Sequence, residues 1–178
     1  MIYYKLGGTG STPLSVNALF TGRTVGELNQ TFDAALNNSF LVPPGSAISA
    51  EKYFDMGEQG TWAGRSDLEN FDGAHVWGLT CCAAVMFYEV INGGQPELFL
   101  AYHAPAGHIE EGDIRNIDAG SVTYVVYATP TFHSDTIQGY KNSVGVLANK
   151  FGTDKICLID GLDRGEVFTD KAGGFVCF

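Results

Sequence analysis

Residues 82–103 read Cys-Ala-Ala-Val-Met-Phe-Tyr-Glu-Val-Ile-Asn-Gly-Gly-Gln-Pro-Glu-Leu-Phe-Leu-Ala-Tyr-His. Two apolar runs, rich in aromatic residues, flank a cluster of turn residues, which is the pattern of a β-hairpin. Asn92-Gly93 suits a type I′ turn, whose two central residues both need positive φ. A two-residue loop predicts strands at Cys82–Ile91 and Gly94–His103, with Ile91 opposite Gly94. Counting back along that ladder brings Cys82 opposite His103. Directly opposed residues share a face, with Cβ atoms roughly 4.5–5.5 Å apart. A four-residue loop from Asn92 to Gln95 would instead face His103 with Ala84 and leave Cys82 on its diagonal. Pro96, which has no amide hydrogen for the ladder, and the bulges that Gly favours keep that alternative open.

Outward from the hairpin, strands and helices alternate without an internal repeat. The first residues read as a strand followed by a Gly-rich loop. Thr24 and Glu27 fit a capping box, and Leu28, Phe32, Ala35 and Leu36 continue it at helical spacing. Residues 40–72, with Pro43-Pro44-Gly45, read as irregular. Ser121–Thr129 is a strand. Ile137, Tyr140, Val144, Leu147 and Phe151 mark one face of a helix over Asp135–Phe151, stopped by Gly152. Lys155–Asp160, Glu166–Thr169 and Phe175–Phe178 read as closing strands. The expected fold is α+β: a central, mostly antiparallel β-sandwich flanked by two helices and long loops.

The 178 residues suit a single domain, 1–178, and 45 % hydrophobic against 17 % charged residues argues against a wholly disordered chain. A formal charge of -10 and scattered Lys and Arg make nucleic acid an unexpected partner. No apolar run is long enough for a membrane helix. The N-terminus, Met1-Ile2-Tyr3-Tyr4-Lys5-Leu6, lacks a basic segment followed by an apolar one. No signal peptide is therefore expected, and the chain is expected to be cytoplasmic as made, with signal-independent export open. Cys81, Cys82, Cys157 and Cys177 form no Cys-x-x-Cys unit and read as reduced thiols. Cys81 and Cys82, on an extended segment, would point to opposite faces.

A thiol beside an imidazole is the strongest chemical signal. The imidazole takes the thiol proton, the thiolate attacks a carbonyl, and the imidazolium protonates the leaving nitrogen. Backbone amides near Cys81 and Cys82 would hold the oxyanion. The plain alternative is that Cys82 only packs, since free Cys is among the most buried residue types. Cys157 and Cys177 fit that role, and His75, His108 and His133 read as surface or loop residues. Cys82, His103 and His108 match no zinc spacing, so no metal and no cofactor is expected. There is no P-loop, dinucleotide fingerprint or Gly-x-Ser-x-Gly elbow.

Leu79-Thr80-Cys81-Cys82-Ala83, an apolar strand, and a second strand ending in His103 together resemble a known arrangement. It is the Leu-Ser-Gly-Cys motif and downstream His of the cytotoxic necrotizing factor catalytic domain, shared in type by Burkholderia lethal factor and the chemotaxis deamidase CheD. The resemblance covers about residues 74–108. It implies a β-sandwich enzyme in which Cys82 is nucleophile and His103 base, converting glutamine side chains of a protein substrate to glutamate. It also implies a toxin or effector role, with delivery to a host cytosol. Thr80 stands for the family Ser. Cys81 stands where the family has Gly, which raises Cys81 as a rival nucleophile. The family places a third group to orient its His, and Thr80, Thr123 and Tyr124 are the candidates here. Other thiol acyl transfer, by a peptidase or transglutaminase, and a protein-interaction module with an inert Cys82 are the rival readings.

Overall fold

A computed structural model describes residues 1–6, 14–15, 40–42, 49–130 and 137–177. The helix expected after Thr24 lies outside the described residues. Among the described residues twelve strands form two sheets: β1 (Ile2–Leu6), β2 (Leu14–Ser15), β3 (Phe40–Val42), β4 (Tyr53–Met56), β5 (Trp62–Gly64), β6 (Gly73–Val76), β7 (Ala83–Val90), β8 (Pro96–Ala104), β9 (Tyr124–Thr129), β10 (Ile156–Asp160), β11 (Val167–Asp170) and β12 (Gly174–Cys177). The larger sheet runs β3-β1-β10-β9-β7-β8-β5, the smaller β2-β12-β11-β6-β4. Helices are α1 (Arg65–Leu68), α2 (Glu111–Ile114) and α3 (Ile137–Phe151). The α+β class and the sandwich follow the sequence reading.

Residues 40–72 correct it. They hold β3, β4, β5 and α1 rather than irregular chain. These strands are short and their Gly and Pro punctuation hides them; their partners lie far away in sequence, β8 for β5 and β6 for β4. Parallel pairing is also more extensive than hairpin reading suggests. β3, β1, β10 and β9 run parallel to one another, and antiparallel pairing begins where β9 meets β7.

β7, an interior strand of the large sheet between β9 and β8, shows why both faces are buried. Ala84, Met86 and Tyr88 join Met56, Ala74, Val76 and Val167 in the core between the sheets. Ala83, Val85 and Phe87 join Tyr140, Val144, Leu147 and Phe151 of α3 on the other face. The layer order is small sheet, large sheet, helix. Alternate residues of a strand serve opposite faces, so an almost wholly apolar strand is what this position needs. α3 ends at Gly152, whose φ of 100° suits glycine and whose amide closes on Ala148 O at 2.9 Å.

One buried polar contact ties the sheets together. The hydroxyls of Tyr88 and Thr169 lie 2.7 Å apart in the interior. Removing either partner strands the other. Tyr88→Phe and Thr169→Val should each cost about 1–2 kcal/mol. The double variant should cost less than their sum, measured by urea unfolding in a double-mutant cycle.

Candidate functional site

The hairpin turn forms as its residues demand. Asn92 and Gly93 have φ of 51° and 71°, and Gly94 N donates to Ile91 O at 2.9 Å. The ladder then departs from the expected register in two places. Val90 pairs with Pro96, which leaves Gln95 as an extra residue beside a proline that cannot donate. A second shift falls between Phe87 and Tyr88, so that Phe99 is a bulge between Leu98 and Leu100. The first offset turns β8 over and the second turns it back. Leu98 and Ala101 thus both face the sandwich, and Phe99 and Leu100 both face the helix layer. His103 lies opposite Ala84, not Cys82. Cys82 precedes β7 and occupies the diagonal position.

Both groups are sealed, at 0 % exposure each. His103 Nδ1 lies 2.8 Å from Met56 O. A carbonyl only accepts, so Nδ1 carries the hydrogen of the neutral ring and Nε2 is left with its lone pair. Nε2 is buried and has no hydrogen-bond partner, so it makes no bond to the thiol. Burial lowers the His103 pKa, opposed by the Met56 contact. The orienting group is therefore the Met56 backbone. Thr80 is exposed, with its amide on Gly78 O at 2.8 Å. Thr123 and Tyr124 sit at the opposite end of β7, where Tyr124 pairs with Tyr88 and Thr123 Oγ1 accepts from Val90 N at 3.0 Å.

The chain bends at Thr80-Cys81 instead of staying extended, and Cys81 is exposed while Cys82 is buried. Burial raises the Cys82 pKa; the Ala106 amide hydrogen on the sulfur pulls it back, and the neighbouring Cys81 thiol raises it again. Ala106 lies in the turn Pro105–Gly107 after β8, with φ of 50°. Its only sequence signal is Pro105 followed two residues later by Gly107. Gly107 has φ of 69°, and a Cβ there would meet the Tyr140 ring and stand 2.6 Å from Tyr127 Oη. Tyr127 donates to Gly107 O at 2.6 Å and Tyr140 to Cys81 O at 3.3 Å. Thr129 Oγ1 donates to Cys82 O at 3.3 Å. Two tyrosines and a threonine thus hold both cysteine segment and turn in place.

A cleft of about 480 Å³ opens beside this segment, lined by residues that include Thr80, Pro130, Asp163 and Arg164. Cys157 and Cys177 are buried in the sandwich core, and burial holds the Cys177 thiol far above its ordinary value. His75 is a correction: it is a half-buried strand residue whose ring stacks on Phe168 at 3.9 Å. His108 is exposed beside Gly139, and His133 lies outside the described residues. Among the described residues no group of His, Cys, Asp and Glu gathers as for a metal ion. No described helix is long and apolar enough to cross a membrane. No family model, curated protein or solved structure matches the chain.

Two outcomes follow. Gly107→Ala should destabilise the protein by about 2–3 kcal/mol, through overpacking at a left-handed residue. Gly112→Ala, with nothing near its added carbon, should cost less than about 0.5 kcal/mol in the same thermal melts. His103 titrates below its unfolded value, so the unfolded chain takes up the proton first as pH falls. Stability should therefore drop as pH falls through about 6.5, and His75, also lowered chiefly by burial, adds to the slope. His103→Asn, which keeps a donor for Met56 O, should show a shallower decline in urea midpoints between about pH 7.5 and about pH 5.5.

Proposed function

We propose that the chain is a thiol-dependent acyl-transfer enzyme, and more narrowly a deamidase that converts a glutamine side chain of a protein substrate to glutamate. The supporting observation is His103: a buried imidazole held by Met56 O with Nε2 free and unpaired, on the diagonal of the Cys82 thiol. Buried nitrogens without partners are costly, and an acceptor held in the interior has a use as a base once a thiol reaches it. The Leu79–Ala83 motif supports the narrower reading by its resemblance to the glutamine deamidases.

In that reaction Nε2 takes the thiol proton, and sulfur attacks the carboxamide carbon. The imidazolium returns the proton to nitrogen, and ammonia leaves a thioester. Water then adds to the thioester carbon, restoring the thiol and yielding glutamate. The Ala106 amide, already directed at the sulfur, stabilises the thiolate. Thiol and Nε2 share no hydrogen bond in this conformation, so the reading requires them to meet when substrate fills the cleft beside Thr80. A substrate of this kind brings an exposed loop carrying the glutamine, and a toxin or effector role belongs to the same proposal.

A second reading is favoured by the complete burial of Cys82 and its raised pKa: a protein-interaction module with an inert thiol. One experiment separates them. Alkylation of each cysteine in the folded protein is followed against pH by peptide mass spectrometry, in wild type and His103→Ala. Enzyme chemistry predicts that Cys82 reacts, and at least about tenfold more slowly without His103. The module predicts that Cys82 stays silent until unfolding while Cys81 reacts as an ordinary exposed thiol. A glutamine gaining about one mass unit in a substrate identifies deamidation; chain cleavage identifies a peptidase.

A further inference from the structure

The outer face of the small sheet carries an aromatic ledge with a carboxylate at its edge. Asp55, His75 and Phe168 lie in one cross-strand row of β4, β6 and β11. The His75 and Phe168 rings stack at 3.9 Å, and Tyr53 meets Phe168 edge-on at 5.3 Å. Just past the end of β6, Trp77 lies flat over Gly57, where any Cβ would strike the indole. Trp77 Nε1 donates to Asp55 Oδ1 at 2.6 Å, and Gly57 N donates to the same oxygen at 3.0 Å. The indole is thereby locked, yet it remains 43 % exposed. One side of the ring packs on Gly57; the exposed remainder, already held in place, costs a ligand little entropy on binding.

The charge around the ledge selects the ligand. Asp55 spends Oδ1 on two donors and keeps Oδ2 at the surface. Glu51 lines the adjoining recess with Tyr53, Phe54, Phe71 and His75. Glu166 lies one register step from Trp77 and pairs with Arg164 at 3.2 Å. Arg164, whose charge reaches His75, is engaged by Glu166. The chain as a whole carries -10. A planar cation satisfies every feature: it stacks on the indole and donates to the carboxylate in one pose.

We propose that Trp77 and Asp55 form a recognition site for an arginine side chain of a partner polypeptide. The open ledge covers only one side of a guanidinium, so a free amino acid would gain little there. An extended peptide can continue from Trp77 past Gly78 into the cleft beside Thr80. The site stands on ring geometry and charge and does not depend on the thiol chemistry.

The test follows the two indole N–H resonances of the whole chain by NMR, with Trp77 assigned from Trp77→Phe; Trp62, stacked on Tyr102 at 3.9 Å, is the internal control. Acetyl-Gly-Arg-Gly-amide should shift the Trp77 resonance saturably and leave Trp62 in place. The citrulline peptide, which is neutral but equally planar, should bind at least about tenfold more weakly. Asp55→Asn, checked for an unchanged fold by its remaining spectrum, should weaken the arginine peptide to a similar degree. Trp77→Leu, at an exposed position, should abolish perturbation of the neighbouring Gly57 amide. Equal binding of the two peptides would overturn the charge recognition. Absence of any saturable shift by about 10 mM peptide would overturn the site.

Discussion

Pro96 has no amide hydrogen, and the pairing of β7 with β8 is built around that fact. The type I′ turn at Asn92-Gly93 delivers the chain in register, but Pro96 cannot enter the ladder as a donor, and Gln95 is left over beside it. A one-residue offset would carry every later side chain of β8 to the wrong face. The bulge at Phe99 cancels it. Leu98 and Ala101 then both reach the sandwich core, while Phe99 and Leu100 both turn to the helix layer. Everything beyond the bulge inherits this correction, including the position of His103 against Ala84.

The same correction places the chemistry at one end of the large sheet. The parallel strands β9 and β10 end there, β7 begins there and β8 finishes there. Backbone groups released at these strand ends need partners, and side chains supply them. Tyr140 takes Cys81 O, Thr129 takes Cys82 O and Tyr127 takes Gly107 O. The result is a rigid cysteine segment with an amide directed at its buried sulfur. Nearby, the Met56 carbonyl holds His103 while its own strand, β4, carries Asp55 toward Trp77. The imidazole and the exposed indole are thus braced by neighbouring residues of one strand.

Polar groups left without partners carry most of the functional information. The core is otherwise well satisfied, as the Tyr88–Thr169 contact between the sheets illustrates. Against that background, the unpaired Nε2 atoms of His103 and His75 stand out. Burial lowers both pKa values, and the Met56 contact leaves Nε2 of His103 as an acceptor. His103 lies opposite Ala84 near the end of β8; His75 belongs to the aromatic row beneath the ledge.

Local chemistry in the sequence determined the elements with strong local signals. The hairpin turn follows from Asn92-Gly93, α3 from the spacing of Tyr140, Val144, Leu147 and Phe151, and the strands around Val126 and Leu158 from their apolar runs. Each depends on residues within a few positions of one another, where propensity and periodicity act. The tertiary structure alone decided the strands within residues 40–72, the Phe99 bulge, the Met56 carbonyl on His103 and the Ala106 amide on Cys82. Each of these joins groups distant in sequence or follows from which side chains the two cores can hold. Such choices are made by packing across sheets, and no local pattern records them.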